Sequence, residues 1–422
     1  MTMTGTVTGT APVVARRPAM TTEGIRAHFP ALERVHNGHP VAYFDGPGGT
    51  QVPRAVADAI TNYLLFHNAN TNWAYPTSVE TDRMVAQSRI VMADFLNGQP
   101  NEIVFGMNMT TLTFHVARAL GREWKEGDEV VITELDHHAN QAPWRALEKE
   151  RGITIRVVPM DPASGQLEWD RLKALLNNKS KLLAIGAASN ALGTINDIAA
   201  ASALAKAVGA LTFVDAVHYA PHRLVDVQAM GCDLLACSAY KFHGPHLGIL
   251  WGRGALLKTL DVPKLDPAPN YIPDRIETGT QSHEAMVGSA AAVEFLAGIG
   301  DGATRRARLE HAFDVMHERQ QAVVERIWIG LSSIRGVSTY GPIPTEPRTS
   351  TVSFTVDGST TTEVALALAE RGVFVSHGDF YASTVIEKLG FAADGLVRVG
   401  AACYTSEAEV ERLIEGVAEV AG

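Results

Sequence analysis

The sequence predicts an α/β protein, with a mostly parallel sheet covered on both faces by helices and a smaller α+β domain after it. Three observations carry this prediction. From about residue 100 to 252, short β-rich runs alternate with helical stretches. Those runs are nearly continuous in apolar residues, as strands buried on both faces are, and do not alternate in and out of solvent. After Gly279 the pattern changes to a long helical stretch followed by scattered strands.

Taken in order, the expected strands of the large sheet are seven: 102–105, 130–133, 153–158, 182–185, 211–214, 234–238 and 248–251. Helical stretches at 110–124 and 198–208 separate some of them. Beyond residue 280, helical periodicity runs from 283 to about 329, with the glycines at 298–302 as a break. Strands are expected at 350–356, 373–375 and 396–399, and helices at 361–371 and from 407 onward. The Pro-rich stretch 341–347 reads as a loop. The expected organisation is a disordered tail (1–20), a large domain (21–280) whose first twenty or so residues can pack on the small domain, and a connecting helix with a small C-terminal domain (281–422).

The chain has 422 residues, 46% hydrophobic and 19% charged, with a formal net charge of −10. That balance argues against nucleic acid and anionic membrane as partners. Three cysteines cannot build a disulfide framework, and a reducing, cytoplasmic setting is expected. No apolar run approaches a membrane span. Arg16 and Arg17 follow the mildly apolar part of the N-terminus, the reverse of a secretory signal.

In open parallel sheets ligands bind beyond the carboxyl ends of the strands, and chemistry-bearing residues cluster there. Asp215 ends one apolar run, with His218 close behind. Lys241 follows another, in Ser-Ala-Tyr-Lys-Phe-His-Gly-Pro at 238–245. A strand-end lysine and a strand-tip aspartate suit pyridoxal phosphate (PLP): the lysine holds the aldehyde as a Schiff base, and the aspartate keeps the ring nitrogen protonated. Gly106 to Thr111 follows a strand and opens a helix, so free N–H groups and the Thr110 and Thr111 hydroxyls offer a phosphate cradle; an ordinary Thr cap is the alternative. His137 and His138 follow the run at 130–133. A flat imidazole there can stack on a ring, while paired histidines also suggest metal, with Asp215, His218, His222, His243 and His246 available elsewhere in the chain. Adjacent histidines point apart, and H-E-x-x-H does not occur, so no metal site is expected. Asn190 could donate to a ring oxygen or a carboxylate, or close an Asx-turn. Arg398, on a late strand, is the candidate for a bidentate grip on an α-carboxylate; a surface salt bridge is the alternative.

Together these motifs resemble the cysteine desulfurase branch of the class V aminotransferase family of PLP enzymes, from about residue 40 onward. The resemblance rests on Val-Ala-Tyr-Phe-Asp-Gly-Pro-Gly-Gly-Thr at 41–50, Asp-His-His-Ala-Asn with Pro-Trp at 136–144, and Ser-Asn-Ala-Leu-Gly-Thr at 189–194. The Asp215 to Lys241 interval and Ile-Glu-Thr-Gly-Thr at 276–280 complete it. It implies the aspartate-aminotransferase-like fold (fold type I). It also implies Lys241 as the Schiff-base lysine, Asp215 opposite the pyridine nitrogen, and His137 stacked on the ring. His218 takes a position usually held by Gln, bonding the ring oxygen. Thr110, Thr111, Ser238 and Tyr240 would surround the phosphate, and Thr280 would come from the other subunit of a homodimer with a shared active site.

One departure bears on substrate. Where the desulfurases carry a Gly-His-His-Cys-Ala type loop, this chain has Val-Ser-His-Gly-Asp-Phe-Tyr-Ala at 375–382. Tyr381 stands at the cysteine's place and Ser376 at that of an arginine. A phenol cannot carry a persulfide, and Cys403 reads as a packed residue. The expectation is therefore a PLP enzyme that removes the Cα proton of a small amino acid or amine. Carbon–sulfur β-elimination is favoured. Epimerisation, transamination and a non-catalytic PLP-fold protein are the alternatives. Tyr381, His377 and Asp379 are the expected acid–base or substrate-contacting groups.

Overall fold

The structure is a computed structural model that describes residues 17–422. Its centre is a sheet of seven strands, β1 (Ile103–Gly106), β2 (Glu129–Thr133), β3 (Thr154–Val158), β4 (Ser180–Gly186), β5 (Leu211–Asp215), β6 (Leu234–Ser238) and β7 (Gly248–Gly252), in the order β1-β7-β6-β5-β4-β2-β3. β7 runs antiparallel to both of its neighbours, and the pairings among β2 to β6 are parallel. The expected strands and the observed ones agree to within one or two residues at each end.

Alternate residues of the strands enter two separate cores. Val131, Leu183, Val214 and Leu235 pack on one face; Val130, Ile132, Leu182, Phe213 and Leu234 pack on the other with the fully buried Trp144. Each face is covered by helices, so apolar residues are needed at every position of a strand, and the continuous runs in the sequence are the result.

The long helical stretch divides into His283–Ile299 and Arg305–Ser332. At the break, a Cβ on Gly300 would overlap the Arg308 carbonyl oxygen, so the two helices approach there through a glycine. A four-stranded antiparallel sheet follows: β8 (Val337–Tyr340), β9 (Thr351–Val356), β10 (Ser376–Gly378) and β11 (Leu396–Gly400), in the order β8-β9-β11-β10. β8 is an edge strand absent from the expectation. The expected single strand at 373–375 is two: Val373–Phe374 pairs in parallel with Ala42–Tyr43, and β10 pairs with β11. Ala42 and Phe44 consequently sit in the small domain's core beside Val352, Val373 and Val399. We keep a division near residue 280 as a proposal, with this N-terminal segment carried over to the small domain.

The first sixteen residues of the expected tail lie outside the described residues. Its last four are held: the Arg17 side chain pairs with Asp301, and Met20 accepts from Arg319 and donates to the Ile299 carbonyl. Among the described residues, no helix is long and apolar enough to cross a membrane.

β7 also fixes the neighbouring loop. A Cβ on Gly248 would collide with the backbone of Asn108, which caps the helix Met109–Gly121. Gly248→Ala should therefore displace that helix start and destabilise the fold by about 1–3 kcal/mol. Gly298→Ala, with no atom within 4 Å of the added carbon, should be neutral within about 1 kcal/mol. Denaturant unfolding of the two variants beside the parent checks this.

Candidate active site

The carboxyl ends of β2, β4, β5 and β6, the start of the helix Met109–Gly121 and one small-domain loop enclose a cavity of about 330 Å³. Into it converge Thr110, His137, Asn190, Asp215, His218, Ser238, Tyr240, Lys241, Tyr381 and Arg398.

Lys241 lies on a short helical turn, Ala239–Phe242, directly after β6. The left-handed His243 (φ 70°) ends that turn. The Lys241 ammonium is almost wholly buried. It donates to the Pro47 and Gly48 carbonyls, and its Nζ lies 5.1 Å from the Tyr240 ring centre. Burial first, and the Arg398 charge second, bring its pKa down to about 7, because both disfavour the cation. Asp215 ends β5, and its Oδ1 accepts from the Val217 N–H at 2.9 Å. Burial pushes it up to about 6. A cationic ring nitrogen beside this carboxylate would relieve that cost.

His137 accepts the Ala139 N–H on Nδ1 at 2.9 Å, so in the neutral ring the proton sits on Nε2. Burial, then Lys241, lowers its pKa to about 4. The turn that carries it is framed by Asp136, a residue sequence reading left out of the site. The Asp136 carboxylate accepts from the Thr133 hydroxyl (2.8 Å), the Gly186 N–H (2.8 Å) and the Asn140 amide (2.7 Å). Burial and the neighbouring Asp215 push it up to about 7 against those donors.

The helix Met109–Gly121 starts at Asn108. Asn108 Oδ1 accepts the Thr111 N–H at 2.8 Å, and the Thr111 hydroxyl donates to the Asn108 carbonyl at 2.9 Å. Thr111 is thus committed to the cap and does not line the cavity, whereas Thr110 does. The expected cradle thus loses Thr111, while Thr110, Ser238 and Tyr240 line the cavity, and Ser238 Oγ accepts from the Met109 N–H at 3.3 Å. The signal was present in the sequence, since Asn followed by Thr three residues on is a capping pair.

Arg398, on β11, is buried and does not form the surface salt bridge that was its alternative. Its Nη1 donates to the Asn190 carbonyl (2.9 Å) and its Nε to Ser376 Oγ (3.1 Å). Its guanidinium carbon lies 4.1 Å from the Phe380 ring centre. Among the described residues it has no carboxylate partner, and burial lowers its pKa to about 10. Asn190 closes no Asx-turn; its amide donates to the Phe380 carbonyl at 2.9 Å, and its Oδ1 is buried without a partner.

Phe380 and Tyr381 both adopt left-handed backbone conformations (φ 57° and 54°), costing roughly 1–2 kcal/mol per residue. The Tyr381 N–H donates to Asp379 Oδ1 (3.0 Å), the His138 N–H donates to the Tyr381 carbonyl (2.8 Å), and the Tyr381 ring stacks on His137 with centres 5.7 Å apart. Phe380, missed by sequence reading, is the residue that joins this loop to both Asn190 and Arg398.

His377 and Thr280 are not brought to the cavity. On β10 the side chains alternate: Ser376 faces Arg398, and His377 is turned to solvent, 3.4 Å from the Thr362 hydroxyl. Thr280 lines a separate depression with Thr111 and His115. Among the described residues, no three His, Cys, Asp or Glu side chains converge as a metal set.

The pattern described as Aminotransferase class-V matches residues 42–413. A cysteine desulfurase of Serratia proteamaculans (strain 568) is 30% identical over 414 residues, covering 94% of this chain and 98% of that one. Among solved structures, the apo cysteine desulfurase of Thermococcus onnurineus NA1 superposes with a TM-score of 0.86 at 28% identity, over 94% of this chain and 98% of its own. A cysteine desulfurase of Escherichia coli shares the fold, with a TM-score of 0.82 at 24% identity over 94% of this chain and 98% of that one.

With its pKa near 7, the Lys241 amine should bond an added aldehyde at a rate that rises about tenfold per pH unit below 7 and levels above it, since only the free amine attacks. Exposed lysines would go on gaining up to about pH 10. Stopped-flow absorbance of the cofactor-free protein mixed with PLP checks the profile, and Lys241→Ala should abolish the signal.

Proposed function

The chain belongs to the class V aminotransferase family and is a PLP-dependent enzyme; within that family we propose that it removes the Cα proton of a small amino acid and does not form a persulfide. The observation that carries this reading is the small-domain loop, where Tyr381 and not a thiol faces the cavity. The three cysteines are all buried, and none lines the cavity. Burial pushes the Cys232 and Cys403 thiols up to about 12 and raises Cys237 as well. Cys403 contacts His243 Nε2 at 3.4 Å instead.

The cavity fits the cofactor. It combines a buried amine, a buried carboxylate, a helix start, and two buried polar atoms without partners, His218 Nδ1 and Asn190 Oδ1. Bound there, PLP supplies an aldehyde that bonds amines and a ring that accepts the electrons left when a Cα proton departs. Thr110, Ser238 and the helix start would hold its phosphate. Asp215 would keep the ring nitrogen protonated, and His137 would lie against the ring. Arg398, a buried cation lacking a carboxylate partner, would orient the substrate carboxylate. Lys241 Nζ, neutral above about pH 7, would take up the Cα proton.

Elimination of a β-substituent, as a carbon–sulfur lyase, is the reaction we favour. Tyr381 offers a phenol at the cavity mouth to protonate a leaving group. Because Tyr381 and Lys241 are two separate proton-carrying groups on one cavity, epimerisation is the second reading. We further propose a cytoplasmic homodimer in which Thr280 reaches the partner's site. Exposed apolar side chains, among them Phe66, Trp73, Tyr75 and Met107, support an interface.

An amino-acid panel scored for pyruvate, ammonia, sulfide and racemisation tests the reaction. We expect pyruvate with ammonia from β-substituted substrates, and racemisation without pyruvate would replace lyase by epimerase. After exposure to L-cysteine, mass spectrometry of the unreduced protein should find no bound sulfur. A stoichiometric adduct on Cys403 that chases into sulfide would overturn the proposal. Tyr381→Phe should lower kcat about 10²-fold or more if the phenol carries the proton, and leave it nearly unchanged if the ring only stacks on His137.

A further inference from the structure

His218 presents two different edges to its surroundings. Its Nε2 lies 2.9 Å from the Thr351 hydroxyl and 3.1 Å from the Thr349 hydroxyl, both on the small domain at or before the start of β9. Its Nδ1 is buried and unpartnered, on a ring that lines the cavity. Burial holds the pKa of this imidazole well below its usual value, so the ring is neutral and carries one proton. Both threonines are buried, at 2% and 0% exposure, and among the described residues neither hydroxyl has another hydrogen-bond acceptor. Were the proton on Nε2, both hydroxyl protons would be stranded. With Nε2 bare, its single lone pair accepts from the nearer Thr351 hydroxyl and is shared with Thr349, and the ring's proton then sits on Nδ1.

We propose that Thr349 and Thr351 act as positioning residues that lock His218 as its Nδ1–H tautomer, making it a fixed donor to an anionic oxygen of the bound cofactor and tying that donor to the seating of the small domain. The proposal rests on the PLP reading above. The amide usually found at this position donates from its own NH₂ and needs no such lock; an imidazole could offer either edge and does need one. The other ionisable groups facing His218 are His222, with ring centres 5.0 Å apart, and the Lys241 and Arg398 cations. Asp215 lines the same cavity. All of them are untouched by substitutions at the threonines.

The test is the pH titration of the visible absorption band of the PLP-loaded protein. A donor to the ring oxygen lowers the proton affinity of the lysine–cofactor linkage, so His218→Leu should raise the apparent pKa by about one unit, a tenfold change in proton affinity. Thr349→Val with Thr351→Val should raise it in the same direction, and Thr349→Ser with Thr351→Ser should restore the parent value. In a His218→Gln background the valine pair should have no effect, because the amide needs no lock. A band whose titration ignores the valine pair, or shifts equally in the parent and His218→Gln backgrounds, overturns the tautomer lock while leaving the cofactor reading intact. Loss of any visible band in the parent protein would overturn both.

Discussion

An amine and a carboxylate held out of water at the ends of adjacent parallel strands are the constraint on which the rest of the site depends. Lys241 and Asp215 are each 7% exposed, and each is driven toward its neutral form, the lysine down to about 7 and the aspartate up to about 6. The pair is thus no strong ion pair in the cofactor-free protein, because desolvation outweighs the mutual attraction. What keeps both in place is the sheet. β5 and β6 are parallel neighbours, with Asp215 in register with Ala236, and the Pro47 and Gly48 carbonyls receive the ammonium. A ligand that brings an aldehyde to the amine and a cation to the carboxylate relieves both costs together. The positive side of the cavity, with Arg398 and a helix start, would likewise favour an anion.

The small-domain loop shows the same economy of partners. Phe380 covers the Arg398 guanidinium with its ring and occupies the Asn190 amide with its carbonyl. The two groups best suited to a substrate carboxylate are therefore both engaged by one residue, which is itself held in a left-handed conformation. Two consecutive non-glycine residues of this kind persist only where neighbours over-determine them. Here those neighbours are the His138 N–H, the Asp379 side chain and the His137 ring. A substrate that took over Asn190 and Arg398 would remove part of what holds the loop, and its binding would then be energetically linked to loop position.

Most of the large domain was legible because its signals are local. An apolar run bounded by helical periodicity marks a two-sided strand wherever it occurs, and the residue just beyond it is at the cavity whatever its partners are. For this reason Asp215, Lys241, His137 and Asn190 could be placed from the chain alone. The same logic misjudged residues whose role depends on direction. His377 sits one position away from Ser376 and so points to the opposite face of β10. Thr111 sits one position from Thr110 and spends its hydroxyl on the Asn108 cap. Non-local contacts left no trace to read: Asp136 finds the Gly186 N–H, and Ala42–Tyr43 pairs with Val373–Phe374 across most of the chain. The reading of Tyr381 as standing at a cysteine's place rests on resemblance alone, and Phe380 was invisible because nothing in its neighbourhood announces Arg398.

The cavity is finished by the small domain. Arg398, Phe380 and Tyr381 line it from that side, and Thr349 and Thr351 reach His218 behind it. The seam between the domains is stitched by the Thr349 N–H to the Gly193 carbonyl (2.8 Å), the Ile195 N–H to the Pro347 carbonyl (3.1 Å), and the Ser353 hydroxyl to the Ala191 carbonyl (2.5 Å). All three anchor on the 189–196 segment that also carries Asn190. A shift of the small domain therefore cannot move Arg398 without disturbing Asn190 and the threonines at His218. The groups proposed to grip the substrate and the donor proposed for the cofactor are therefore mechanically one unit. On the proposed reading, His218 would make the electronic state of the cofactor responsive to that unit, since an imidazole tautomer, unlike an amide, is set by whatever lies on its far side.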